Sequence, residues 1–221
     1  MAACCTDRCH GTDRFFTTMA GLFDRQYRKH GLEKIQRLML SGLRSELRGG
    51  ERILDIGCGV GAVHLALLKE GASEAIGVDV SQGMLERARR HAEDLGFKEK
   101  TVYIQGDFVE RRSQIPQSDV AILDKVVCCY PDVGVLVESS ASAARLLLVI
   151  THPRNNLIAG LLFKSHIAFA RLFRLSFHPY WHDWDAMRST IAGLGFEVVF
   201  ARSTAVWQAL VFKRIRESVV A

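Results

Sequence analysis

The sequence predicts an α/β fold, and three stretches carry that expectation. Arg52–Ile56 is a short apolar run closed by Gly57, as a buried parallel strand reads. Residues Ala62–Lys69 then carry apolar side chains at helical spacing and stop before Gly71. A second apolar run ends on Asp79, so strand, helix and strand make one βαβ unit around which the rest of the chain is placed.

Glycines at 57, 59 and 61 let the turn of that unit take backbone angles closed to other residues and let a ligand approach the main chain closely. Ala62 stands where the third glycine of G-x-G-x-x-G/A would fall, so spacing alone also satisfies a dinucleotide fingerprint. Charge separates the two ligands. Asp55, two residues before the first glycine, repels a pyrophosphate and favours a ligand with ammonium and sulfonium charge. Asp79, at the end of the second strand, is placed to accept hydrogen bonds from a ribose diol. Asp107, after Gly106 and the apolar run Thr101–Gln105, is placed to receive an adenine amino group. Three acids at three strand ends suit S-adenosylmethionine better than NAD.

Asp55-Ile-Gly-Cys-Gly-Val-Gly61, Asp79-Val80-Ser81 and Gly106-Asp107-Phe108 together resemble, in order and spacing, the class I S-adenosylmethionine-dependent methyltransferases, best between Glu33 and Thr151. The resemblance implies a Rossmann-like seven-stranded sheet with strands one to five parallel, an antiparallel closing hairpin and an N-terminal helical lid. It also implies that the glycine turn, with Asp55, Gly57, Cys58, Gly59 and Gly61, holds the methionine part of the cofactor. Asp79 and Val80 then serve the ribose, and Gly106, Asp107 and Phe108 the adenine, with Met84 near where that ring stacks. Asp124 and Lys125, delivered to the carboxyl edge of the sheet, complete the cofactor set, because ligands of open α/β sheets bind outside that edge. The competing expectation is a doubly wound domain for another nucleotide; a dehydrogenase, however, needs a second βαβαβ half for which the chain is too short.

The 221 residues suffice for one α/β domain, and no Pro/Gly/Ser-rich linker divides them. Residues 1–48 read as a tail and helical lid, and residues 49–221 as the catalytic domain. Lys and Arg number 29 against 24 Asp and Glu, a formal +5 with a pI near 9.0. A solvated basic surface accounts for this, with an acidic substrate or an anionic membrane surface as the alternative. No stretch reaches the roughly 18 uninterrupted apolar residues of a membrane span, and no hydrophobic signal segment opens the sequence, so a cytoplasmic protein is expected. Six cysteines in such a protein point to reduced thiols.

Along the chain, residues 1–14 read as a tail bearing Cys4, Cys5, Cys9 and His10. Their spacing matches no standard zinc knuckle and no metal is assigned, although a tail folded over Cys128 and Cys129 would make a thiol-rich site. Phe15–Leu47 is helical in pattern and supplies the lid, with Tyr27 or Arg28 placed to touch cofactor or substrate. Ser81 caps a helix over Gln82–Leu95, and Asp119–Leu123 is a further buried strand. Cys128-Cys129-Tyr130-Pro131 follows and should face substrate. Its Tyr-Pro pair, with the lid, resembles magnesium-protoporphyrin O-methyltransferases, from which Cys128-Cys129 departs. A helix over Asp132–Ala144 leads to the strand Arg145–Thr151 and to His152, an edge residue that titrates near neutrality. Leu157–Leu175 is strongly apolar yet holds Lys164, His166, Arg171 and Arg174, which permits an amphipathic helix that packs, lines a hydrophobic pocket, dimerises or rests on a membrane. His178 to His182 is an aromatic substrate-lining loop, in which Pro179 opposes a metal site. Phe196–Ala201 and Val206–Lys213 form the closing hairpin.

The expected chemistry is methyl transfer to an oxygen, with a thiol as the alternative acceptor, on an apolar or aromatic small molecule. Tyr27, Tyr130, His152, His178 and His182 are the candidates for contact or general base. An RNA or protein acceptor is the runner-up, against which stands Asp124-Lys125-Val126-Val127 in place of an Asn-Pro-Pro-Tyr signature. A non-catalytic cofactor- or metal-binding module built on the cysteines is the third reading, and homodimerisation is allowed.

Overall fold

A computed structural model describes residues 10–173, 177 and 179–215. Cys4, Cys5, Cys9, Arg174 and His178 lie outside the described residues, and with them the tail half of the thiol-rich site. In order, α1 (His10–His30) and α2 (Lys34–Arg44) precede β1 (Arg52–Ile56), α3 (Ala62–Lys69), β2 (Glu74–Asp79), α4 (Gln82–Asp94) and β3 (Thr101–Gln105). Then follow α5 (Phe108–Arg111), β4 (Ser118–Asp124), α6 (Val133–Ala143), β5 (Ala144–Pro153), α7 (Leu157–Leu172), α8 (Trp184–Gly193), β6 (Phe196–Ser203) and β7 (Trp207–Arg214).

The seven strands lie in the order β3-β2-β1-β4-β5-β7-β6. Strands β1 to β5 are parallel, and β7 runs antiparallel to both its neighbours, β5 and β6. From β1 the chain winds out through β2 and β3 on one side and returns through β4 and β5 on the other. The crevice between the carboxyl ends of β1 and β4 is therefore a topological switch point, where ligands of such sheets bind.

Alternation along the strands sorts their side chains into two layers. Leu54 and Ile56 of β1, Val78 of β2, Leu123 of β4 and Leu148 and Ile150 of β5 pack with α6 and α8 on one face. Ile53, Ala75, Ile122 and Val149 pack with α2 and α3 on the other. Ile35, Met39, Leu40 and Leu43 of α2 are all buried there, each contributing about 1.5–3 kcal/mol of apolar burial. Within residues 10–48, α2 is thus part of the sheet's helical layer. The other helix, α1, lies across α4, where Ala20, Val60 and Met84 form a small cluster with Phe16, Phe23 and Tyr27.

The N-terminal helices correct the sequence reading in one place: helix begins at His10, inside the stretch expected to be tail. The helical pattern over 15–47 divides into its two helices at Gly31, whose φ is 65°. Periodicity runs through the break because both helices bury an apolar face. The signal for the break is the capping box of Glu33 and Gln36, which starts α2 afresh.

Candidate active site

The turn after β1 is fixed by its main chain. Gly57 N and Cys58 N both donate to Val78 O, at 2.7 and 3.1 Å, and Gly61 N donates to Cys58 O at 3.0 Å. Gly57 has φ 65°, and a Cβ there would stand 2.4 Å from Val126 Cγ2, so both backbone and space demand glycine. Gly59 differs: its φ is 54°, yet an added Cβ would meet nothing within 4 Å. Its bare main chain faces open space, a cradle for a ligand. That space is a cavity of about 570 Å³, the size of a small-molecule site.

One half of the cavity is acidic. Asp55, Asp79, Asp107 and Asp124 all line it, with Lys125 the only Lys or Arg among the described lining residues. Asp79 accepts from Gly59 N and from Ser81 N, each at 2.8 Å, which ties the glycine turn to the start of α4. Burial raises its pKa from 3.8 to about 6 against the opposing pull of those two amides. Asp107 caps α5 by accepting from Val109 N at 2.8 Å, and its second oxygen accepts from the Tyr130 hydroxyl at 3.0 Å. Asp55 is 2 % exposed and turns one oxygen to His64 Nδ1, 2.7 Å away. A pyrophosphate would meet this ring of carboxylates unfavourably; a cationic adenosyl ligand would not.

The carboxyl end of β4 is held by α2 and β5. Asp124 accepts from Gln36 Nε2 and from Thr151 Oγ1, both at 2.7 Å, and burial raises its pKa, opposed chiefly by Lys125. Lys125 has φ 61°, the one non-glycine residue among those described with a positive φ. Three contacts hold it there: its N donates to Thr151 Oγ1 at 2.7 Å, its Nζ to Glu33 Oε1 at 2.5 Å, and its ammonium lies 5.6 Å from the Trp207 ring centre.

The other half of the cavity is apolar and aromatic. Phe163 of α7 stands edge-on to Trp207 and to Trp181, with centroids 5.6 and 5.8 Å away. Phe16 of α1 meets Phe177 at 5.2 Å, closing the cavity from the N-terminal side. Leu162, His166 and Pro179 line it as well. The loop Cys128–Pro131 borders both halves and is pinned from outside: Tyr180 N donates to Cys128 O at 2.7 Å, and His182 Nε2 donates to Tyr130 O at 3.0 Å. Cys128 and Cys129 turn their Sγ atoms to within 4.0 Å of each other, and both donate to Lys125 O. Among the described residues no group of three or more His, Cys, Asp and Glu is arranged to hold a metal ion.

Of the residues expected to touch ligand, Asp55, Gly57, Cys58, Gly59, Asp79, Val80, Met84, Gly106, Asp107, Phe108, Asp124, Lys125 and Tyr130 line this cavity. Gly61 stands behind the turn as the N-cap of α3. Three candidate bases are placed elsewhere, His182 among them in its contact with Tyr130 O. Tyr27 lies in the interface of α1 and α4, edge-on to His91 at 5.0 Å, where burial raises its pKa. His152 shares a strand face with Leu148 and Ile150, because β5 continues to Pro153, and so it points under α8 rather than off the sheet edge. There it is 1 % exposed and stacked on Trp184 at 5.1 Å; it donates from Nδ1 to Pro153 O, and burial lowers its pKa to about 4. The ring is a neutral core residue.

Sequence reasoning missed His64, Gln36, Glu33 and Trp207. His64 had a signal, since a lone polar residue inside the apolar helix AVHLALLK must find a buried partner. The others act across 80 or more residues of sequence and have no local signature.

Residues 53–147 match the model of a family described as a methyltransferase domain. Among curated proteins, the ribosomal protein L11 methyltransferase of Chromobacterium violaceum is 40 % identical over 68 residues, which are 31 % of this chain and 23 % of that protein. The ubiquinone biosynthesis O-methyltransferase of Proteus mirabilis is 28 % identical over 139 residues, 62 % of this chain and 56 % of that protein. The chain thus spans between a quarter and somewhat over half of these relatives. Among solved structures, magnesium protoporphyrin IX methyltransferase from Synechocystis PCC 6803 with bound S-adenosylmethionine superposes with a TM-score of 0.69 at 20 % identity, covering 97 % of this chain and 100 % of that one.

Proposed function

We infer that this chain, a class I S-adenosylmethionine-dependent methyltransferase by its family model over residues 53–147 and by its fold, methylates an oxygen on an apolar or aromatic small molecule. The observation that carries the reading is the division of one cavity into an aspartate-lined glycine cradle and an aromatic wall. The cradle at Gly59 receives the methionine part of the cofactor, Asp79 the ribose hydroxyls, and Gly106 to Phe108 the adenine. When bound, the sulfonium supplies a methyl group that is already activated. What remains for the protein is to hold the acceptor in line and to exclude water. Phe163 and Trp207 orient a flat apolar acceptor, and α1 covers the site through the contact of its Phe16 with Phe177. His166, the imidazole on the cavity wall among the described residues, takes the acceptor proton. The O-methyltransferase likeness over 139 residues supports an oxygen acceptor.

The test is to supply methyl-labelled cofactor together with a fractionated metabolite extract and to follow the label by mass spectrometry. Label on a hydroxyl or carboxyl of an apolar small molecule is the expected result. Label recovered in protein or RNA overturns the assignment.

A further inference from the structure

The helix α7 is turned inside out for a soluble protein. Of its sixteen residues only Ala159 and Ala170 are buried, while Leu157, Leu161 and Leu172 are 92, 72 and 77 % exposed. At 100° per residue these three fall on one arc with Ile158, Phe169 and Phe173, all of them also exposed. Lys164 and Arg171, seven residues apart, run along one edge of that arc, and the helix contains no Asp or Glu. A contiguous outward apolar patch of this kind marks an interaction surface.

We propose that α7 docks this protein on an anionic lipid surface, lying in the plane of the headgroups with its leucine arc inserted and Lys164 and Arg171 paired with lipid phosphates. Sixteen residues, interrupted by two cations, are too few to span a bilayer but suit an interfacial helix. The charges also select against a second copy of this chain. Two such arcs facing one another in an antiparallel pair would bring Lys164 of one near Arg171 of the other, with no acid in either helix to offset them. An anionic headgroup layer offers the complementary sign. Leu162, on the arc itself, and His166 and Phe163, on the side adjoining it, line the cavity, so docking sets the aromatic wall at the lipid interface. Entry of an apolar acceptor from the lipid phase is the part that rests on the function inferred above; docking itself does not.

The experiment is flotation of the full chain with vesicles of phosphatidylcholine alone and of phosphatidylcholine mixed equally with phosphatidylglycerol, read without turnover and so independent of the methyl acceptor. Flotation with the mixed vesicles and about tenfold less with the neutral ones is expected. A Leu161→Asp/Leu172→Asp variant should lose binding at least about tenfold, and Lys164→Gln and Arg171→Gln about fivefold each. Cofactor affinity, measured by calorimetry, should stay unchanged in all of them. No flotation with either vesicle overturns the proposal. So does anionic binding that survives the aspartates, or sedimentation showing a dimer that the aspartates convert to monomer.

Discussion

His64 Nδ1 and Asp55 Oδ2 lie 2.7 Å apart directly behind the glycine turn, with both side chains almost fully buried. On the far side of the ring, Nε2 is 3.0 Å from the Tyr103 hydroxyl, whose own hydrogen goes to Ala88 O at 3.2 Å. The imidazole therefore bridges the Asp55 carboxyl, 2.7 Å from Nδ1, and the Tyr103 hydroxyl, 3.0 Å from Nε2. This chain fixes the aspartate that borders the cradle. Replacing His64 with Leu strands a buried carboxylate and should cost about 3 kcal/mol in urea unfolding. His64→Gln, which keeps a donor, should cost less, and Tyr103→Phe only about 1 kcal/mol. A Leu variant as stable as the parent would show that the pair does not hold the turn.

What the sequence disclosed follows the range of the forces involved. The βαβ unit, the glycine turn and Asp79 are written within thirty consecutive residues, where hydrophobic period and turn chemistry are local. The parallel run of β1 to β5 and the antiparallel β7 follow from family likeness rather than periodicity, because a strand's direction leaves no mark on its own pattern. His152 was misplaced for a related reason: the sequence shows where a strand run stops being apolar, whereas pairing with Gln208 carries β5 on to Pro153. The polar ties from Glu33 and Gln36 to the end of β4 join residues far apart in the chain, and only packing of α2 on the sheet brings them together.

Asp79 gives the fold a pH dependence of definite sign. Its carboxyl ionises near 3.8 in the unfolded chain and near 6 when buried, so between those values the folded state keeps a proton that the unfolded state has lost. Its contribution to stability therefore falls as pH rises from about 4 to about 6 and is flat above that. Cofactor binding should run the other way, since ribose hydroxyls donate best to the ionised form. Affinity should fall as pH drops below about 6, by up to about tenfold per unit, and calorimetry in buffers of different ionisation heat should detect proton release on binding. Asp79→Asn should abolish both slopes. Slopes retained in that variant would assign them to another group.

The tie between α2 and β4 predicts an order of effects. Gln36 donates to a buried carboxylate, Asp124, whereas Glu33 meets Lys125 where the glutamate is about half exposed. Gln36→Leu should therefore destabilise by about 1–3 kcal/mol, because Asp124 loses a donor it cannot replace. Glu33→Gln should cost less than about 1 kcal/mol, water screening that pair. Denaturant unfolding of the two variants checks the ranking, and equal losses would contradict it.

A substitution at Trp207 tests whether the proposed acceptor half of the cavity is distinct from the cofactor half. The Trp207 ring meets Phe163 edge-on at 5.6 Å in the aromatic half of the cavity, while the glycine cradle and Asp79 form the other half. Trp207→Ala removes a wall that a flat acceptor would lie against, worth about 1–3 kcal/mol of binding, or about ten- to a hundredfold in the acceptor's KM. Its ammonium neighbour Lys125 loses a cation–π contact but keeps Glu33, so the end of β4 should hold its shape. Cofactor affinity should consequently stay within about twofold, measured by calorimetry on the same variant. If affinity for the cofactor falls as much as affinity for the acceptor, the two halves are not distinct subsites, and the aromatic wall serves the adenosyl group instead.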